Sequence, residues 1–191
     1  MMEVWPQGLY AGKTLTNPVT GQSLTFLELS AELLVMEATY RAGGRLAPEH
    51  FHPAQTEHFV CLEGAVRVVV DGHPRLLEQG RDLTLTPRTP HRFGGLADQA
   101  GRVRWEVRPA LRTAELLATT FGLAQDGLTT KAGMPPLLRS VQIAREFDAE
   151  FRLTRPSRLV QRVAFTVLGG VAQMRNVPGS YVPGSSSRSA L

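Results

Sequence analysis

Over the first 110 residues, apolar positions recur at every second residue in short runs, and turn formers separate the runs. Val103, Trp105 and Val107 alternate with Arg102, Arg104, Glu106 and Arg108, the pattern of a strand with one buried face. Val66, Val68 and Val70 stand against Arg67 and Val69; Asp71-Gly72 then supplies a tight hairpin turn before Pro74 to Leu77 returns. Ser23 to Leu29, Leu33 to Arg41, Asp82 to Leu85 and His91 to Phe93 read as further strands. The stretch ELLVMEATY has helical propensity, but its place directly before Gly43-Gly44 favours a strand. Residues 1–22 read as an irregular lead-in with turn signals at Asn17-Pro18 and Thr20-Gly21. Many short strands at close spacing predict a mainly β protein, a jelly-roll barrel.

At Pro109 the period changes. Thr113 to Leu123 places Leu116, Leu117, Thr120 and Phe121 on one side at helical spacing, with Thr113 available as a cap. Leu137 to Phe147 is a second helix, and Pro156-Ser157 opens a third that runs to about Met174. Within the third, Val163 to Ala172 is the most apolar run of the chain. It is far short of the roughly 20 residues of a membrane span. Left bare on a monomer it would form a large apolar patch, so packing on the barrel or in a homodimer is expected. The chain therefore divides into a barrel with its lead-in (1–110), a helical extension (111–176) and a flexible Ser-, Gly- and Pro-rich tail (177–191).

With 191 residues the chain is long enough for one well-buried domain plus an extension. The net charge of +4 comes almost wholly from arginines, Lys13 and Lys131 being the only lysines. Those arginines are scattered and do not interleave with aromatics, which argues against a nucleic-acid partner. Cys61 is the single cysteine; it excludes an internal disulfide and suits a reducing cytoplasm. The first residues lack the basic-then-apolar pattern of a secretory signal.

The chemistry concentrates in Gly44 to Gly64. His50 and His52 lie two apart, so in an extended strand both imidazoles reach one point. Glu57 opens a second run in which Glu57, Phe59 and Cys61 share a face. Two imidazoles and a carboxylate on adjacent strands are ready ligands for a divalent first-row metal. His58 alternates outward, and His73 follows a hairpin turn, where exposure is expected.

This run resembles the first motif of the cupin superfamily: a glycine, five residues, H-x-H, four residues, E, six residues, G. Gly44, His50, His52, Glu57 and Gly64 meet every spacing. The second cupin motif is matched in spacing by GRDLTLTPRTPH, Gly80 to His91. Thr86 stands at its proline position, Arg88 at its glycine position and Gly95 at its asparagine position, while the ligand histidine, His91, is kept. The resemblance implies a single cupin-2-type barrel (a double-stranded β-helix) and a metal held by His50, His52, Glu57 and His91. Iron, manganese, nickel and zinc all suit that donor set.

A six-coordinate ion so held keeps two positions open, beside a pocket walled by Phe59, Cys61 and Phe93. One carboxylate leaves a divalent ion about one unit of formal positive charge. An enol, phenol or carboxylate oxygen would be favoured there, hence a small, partly apolar oxygen chelator. Two readings follow: a metal-dependent dioxygenase or related enzyme, and a non-enzymatic small-molecule binding or sensing protein. Glu37, Glu106 and Tyr40 are the residues that would supply a separate acid or base if they faced inward.

Overall fold

In the computed structural model, residues 8–183 are described. β1 (Thr14–Asn17), β2 (Gln22–Leu29) and β3 (Leu34–Tyr40) form a meander, and β3 pairs with β9 (Gly101–Arg108). β9 lies against β5 (Thr56–Val70), the longest strand and the hinge of the barrel. The first half of β5 also pairs with β7 (Asp82–Leu85); its second half pairs with β6 (His73–Glu78) and β8 (His91–Gly94). Two antiparallel sheets thus share one strand, as a jelly roll requires.

Gly64 marks the point where β5 changes sheets. It bends one continuous strand, with φ of 62° and a register shift between Cys61 and Glu63. A Cβ there would collide with the carbonyl of Ala100, so only glycine permits this corner. Alternation then drives the fold. Leu24, Phe26, Met36, Ala38, Phe59, Val66, Val68, Val103 and Val107 are all buried in one core between the sheets.

The extension comprises α1 (Thr113–Gln125), α2 (Leu137–Glu146) and α3 (Arg158–Met174). Ala114, Ala118 and Phe121 of α1 enter the barrel core, while Leu116 and Leu123 join Ile143, Phe147 and Tyr181 in a second one. Several expectations change here. Part of the lead-in is strand β1. Thr113 does not cap α1: Arg112 is the cap residue, and the Thr113 hydroxyl instead accepts from Gln55 Nε2 at 2.8 Å. Residues 177–183 are packed, not loose, because Val177 and Tyr181 are buried and the Tyr181 hydroxyl donates to Asp126 at 2.5 Å. Residues 1–7 of the lead-in and 184–191 of the tail lie outside the described residues.

One element was missed altogether. Between α2 and α3 the chain forms β10 (Arg152–Leu153), which pairs antiparallel with β4 (His50–Phe51). Two residues carry no periodicity, so only the tertiary partner defines this strand. On α3, Ala172 is buried but Leu159, Val160 and Val163 are exposed, so the apolar helix covers one side only. No helix among the described residues is long and apolar enough to cross a membrane.

Phe147 fills the centre of the second core with no exposed surface. Its replacement by alanine should cost about 3–5 kcal/mol and lower Tm by roughly 6–20 °C. Leu137→Ala, at a side chain that is mostly exposed, should leave Tm nearly unchanged. Thermal unfolding followed by circular dichroism checks both.

Candidate metal centre

The structure brings His50, His52 and His91 together, their ligand nitrogens all within 4.8 Å of one another. His50 lies on β4 and pairs in register with His91, the first residue of β8; His52 follows two residues after His50. Ring centroids are 4.4 Å apart for His50–His91, 5.2 Å for His50–His52 and 5.3 Å for His52–His91.

Each ring is oriented through its other nitrogen. Nδ1–H of His50 donates to the Pro48 carbonyl at 2.8 Å, that of His52 to Glu150 at 2.5 Å, and that of His91 to Thr89 at 2.9 Å. A backbone carbonyl only accepts, so Nδ1 carries the proton and the Nε2 lone pairs are left for a ligand.

Glu57 faces the same point from β5, fully buried. Its Oε1 accepts the Trp105 indole N–H at 3.0 Å and lies 3.2 Å from His52 Nε2; Oε2 lies 3.0 Å from His91 Nε2. Those two contacts are close but badly angled, and His52 Nε2 and Glu57 Oε2 remain buried without a proper hydrogen bond. An orphaned imidazole nitrogen and an orphaned carboxylate oxygen inside the histidine cluster are what a divalent first-row ion would satisfy. The three histidines therefore fit a metal, with Glu57 beside them but outside their mutual 4.8 Å grouping.

Electrostatics follow from burial. Desolvation would raise Glu57, but the imidazoles of His52 and His91 more than offset it and hold the carboxyl well below its usual range. Desolvation would likewise lower His52, yet Glu57 beside it leaves the imidazole above its ordinary value. His50 is pushed down to about 3 by burial, then by the neighbouring His91 and His52. Tyr40 is raised by burial and then by the charge of Glu57, so its phenol stays protonated.

The centre opens into a cavity of about 240 Å³, smaller than the roughly 300–1,000 Å³ of drug-sized ligand sites. Phe59, Phe93 and Trp105 form one wall, as near-parallel rings at 4.2 Å (Phe59–Phe93) and 5.4 Å (Phe59–Trp105). Leu117 and Phe121 of α1, Ile143 of α2 and Phe151 close the other side. Phe151 also packs on the His50 ring at 4.7 Å.

Phe59 and Phe93 thus line the cavity, whereas Cys61 does not. Cys61 is buried in the core, its thiol turned toward the carbonyls of Glu63 and Gly64, because the strand bends away there. Glu37 and Glu106 face outward, paired with Arg102 and with Arg104 and Arg108. Tyr40 faces inward and lines the cavity. His73 is exposed, and His58 points away to Asp82 at 3.4 Å.

Sequence reasoning missed Trp105 as the donor to Glu57, and Glu150 and Phe151 altogether. The inward alternation of Trp105 was a usable signal. Nothing in the local sequence marks Glu150, since it orients His52 through a backbone carbonyl.

The family described as Cupin domain matches residues 36–105, which contain both histidine motifs. A curated relative, polyketide synthase CurC of Streptomyces cyaneus, is 31% identical over 98 residues, covering 51% of this chain and 58% of that protein. The chain thus spans a little over half the length of the curated relative it matches. Among solved structures, an RmlC-like cupin from Shewanella frigidimarina aligns at 21% identity and TM-score 0.45, over 50% of this chain and 83% of that one. TT1209 from Thermus thermophilus aligns at 21% identity and TM-score 0.44, over 49% and 87%. The family match falls on the barrel that carries the three histidines, so residues 36–105 are a cupin domain.

Proposed function

We propose that His50, His52, His91 and Glu57 hold one divalent transition metal, and that the protein is a metal-dependent enzyme acting on a small oxygen chelator. The observation that carries this reading is one ring nitrogen from each of His50, His52 and His91, all within 4.8 Å of one another, opening onto a cavity with an aromatic wall. The relative named as a polyketide synthase narrows the chemistry. Polyketides carry alternating carbonyls that enolise and chelate, which agrees with a site suited to enol and phenol oxygens. The candidate substrates are therefore β-diketones and phenols of about one or two rings.

When bound, the metal would supply Lewis acidity toward an enol or phenol oxygen. The protein's own groups do the rest. Phe59, Phe93 and Trp105 offer a flat wall for a planar ligand, and with α1 they exclude water, which strengthens every charge interaction inside. Glu57, fixed by the Trp105 N–H, lies 3.2 Å from His52 and keeps a proton there in the metal-free chain.

The exposed Leu159, Val160 and Val163 of α3 support a homodimer that covers them. Val163→Glu should then give a monomer by light scattering. A wild-type protein already monomeric at high concentration overturns the dimer.

Three further outcomes are expected of the site. Protein purified without chelators should contain about one metal per chain. His52→Ala should lose it, and His73→Ala should keep it; equal metal content in the two variants overturns the ligand set. With iron-, manganese-, nickel- and zinc-loaded protein, at least one form should turn over a β-diketone or phenol, and Glu57→Ala should not. Binding without turnover under every metal would make the protein a binding or sensing cupin.

The pH dependence has a definite sign. The His52 proton is held above pH 6.5 in the metal-free fold, so its contribution to stability is full below about pH 6.5 and is lost as pH rises through the folded value. Zinc must displace that proton, so zinc affinity should rise with pH across this window, with proton release on binding. His50, down at about 3, contributes none. Glu57→Gln should reduce both the proton release and the slope, measured by calorimetry in buffers of different ionisation enthalpy.

A further inference from the structure

The cavity has a second polar region that the metal reading does not use. Most polar side chains in its lining are already committed. The Trp105 N–H goes to Glu57, the Thr113 hydroxyl accepts from Gln55, and the hydroxyls of Thr120 and Ser140 donate to backbone carbonyls. The uncommitted ones gather at one corner. Asn17, Gln22 and Tyr40 are cross-strand neighbours in register on β1, β2 and β3, Asn17 opposite Gln22 and Gln22 opposite Tyr40, and all three line the cavity. Residues opposite one another on antiparallel strands project from the same face of the sheet.

Their hydrogen-bonding capacity has a common sign. Asn17 Oδ1 accepts from the backbone N–H groups of Val19 and Thr20 at 3.0 and 3.1 Å, which leaves its NH2 as the free half of the amide. The Tyr40 hydroxyl and the Gln22 side chain have no hydrogen-bond partner among the described residues. Tyr40 is held by burial and by stacking on Phe93 at 6.5 Å between centroids. A buried phenol kept neutral is a donor, not a base. One cavity is thus lined by the imidazole cluster and by a corner of N–H and O–H donors, with Phe93 stacked on Tyr40.

We infer that Asn17, Gln22 and Tyr40 form a specificity site for a second oxygen of the ligand, so that the ligand is a planar, aromatic enol or phenol bearing another oxygen remote from its chelating pair. This rests on the reading of the centre as a chelator site and adds to it the oxygenation pattern the cavity selects. Tyr40 is the principal donor, because its ring is immobilised while Gln22 is free to adjust. A ligand without the remote oxygen leaves these donors unpaired in a water-poor cavity and binds more weakly.

The test uses zinc-loaded full-length protein and three probes: benzoylacetone and its analogues with a hydroxyl at the 3- or 4-position of the phenyl ring. Calorimetry should show at least one hydroxylated probe binding about three- to tenfold tighter than the parent. Tyr40→Phe should abolish that preference while leaving zinc stoichiometry unchanged. Gln22→Leu, on a half-exposed strand position, should reduce it and serves if Tyr40→Phe does not fold. Equal binding of all three probes to the wild type overturns the inference but leaves the chelator reading standing. A preference that survives both substitutions overturns it as well. If no probe binds the zinc-loaded protein, the chelator reading itself fails, and this inference with it.

Discussion

A carboxylate without solvent must be answered by its surroundings, and Glu57 is such a group at the heart of the barrel. Much of the local structure follows from that one charge. Trp105 turns its indole N–H onto Oε1, which fixes the aromatic wall of the cavity in place. His52 and His91 stand at 3.2 and 3.0 Å, yet without hydrogen-bond angles that would close the account. Protonating His52 answers the charge partly, and a divalent ion on the three imidazoles beside it, as proposed, would answer it further. The same charge, after burial, keeps the Tyr40 phenol protonated. Ligand set, wall and donor corner are thus linked through one buried group.

The helical extension is built into this arrangement. The carbonyl of Glu150 receives Nδ1–H of His52, and Leu153 pairs in register with His50. The Glu150 carboxylate accepts the backbone N–H of Arg112 at 3.1 Å, at the start of α1, where negative charge is favoured by the helix dipole. Gln55, between His52 and Glu57 in the chain, donates to the carbonyls of Pro109 and Ala110 at 2.7 and 3.0 Å. Barrel, α1 and the segment before α3 are therefore tied together within a few residues of the centre. A ring oriented by such a contact typically binds metal 10–100-fold better than one left free.

Much of the barrel was legible because its signals are local. The alternation in β9 matches its strand from Gly101 to Arg108, and Asp71-Gly72 makes the hairpin between β5 and β6. The histidine spacings were legible because period two fixes which side chains can meet. What escaped depends on contacts distant in sequence. Strand β10 exists only because β4 is there to pair with, and Glu150 acts through a carbonyl that any residue possesses. Cys61 was placed on the cavity wall by counting, which holds for a regular strand; the shift between Cys61 and Glu63 breaks the count. Tyr40 was open to either face by pattern, and only the pairing with Gln22 and Gly101 turns it inward.

The departures in the second motif show how geometry can outlast the residues that usually encode it. Arg88 stands where the motif has glycine, yet it keeps a positive φ of 70°. A non-glycine residue there costs about 1–2 kcal/mol. That strain persists because the Arg88 N–H donates to the His52 carbonyl at 2.8 Å, linking the turn before His91 to the strand end that carries His52. Gly95 replaces an asparagine for a different reason: a Cβ at this position would strike the Arg41 carbonyl. One position thus tolerates a strained side chain, and the other forbids any side chain at all. Both serve the same end, since the turn they frame delivers His91 in register with His50. What the two positions share is the convergence of imidazoles that this backbone holds in register.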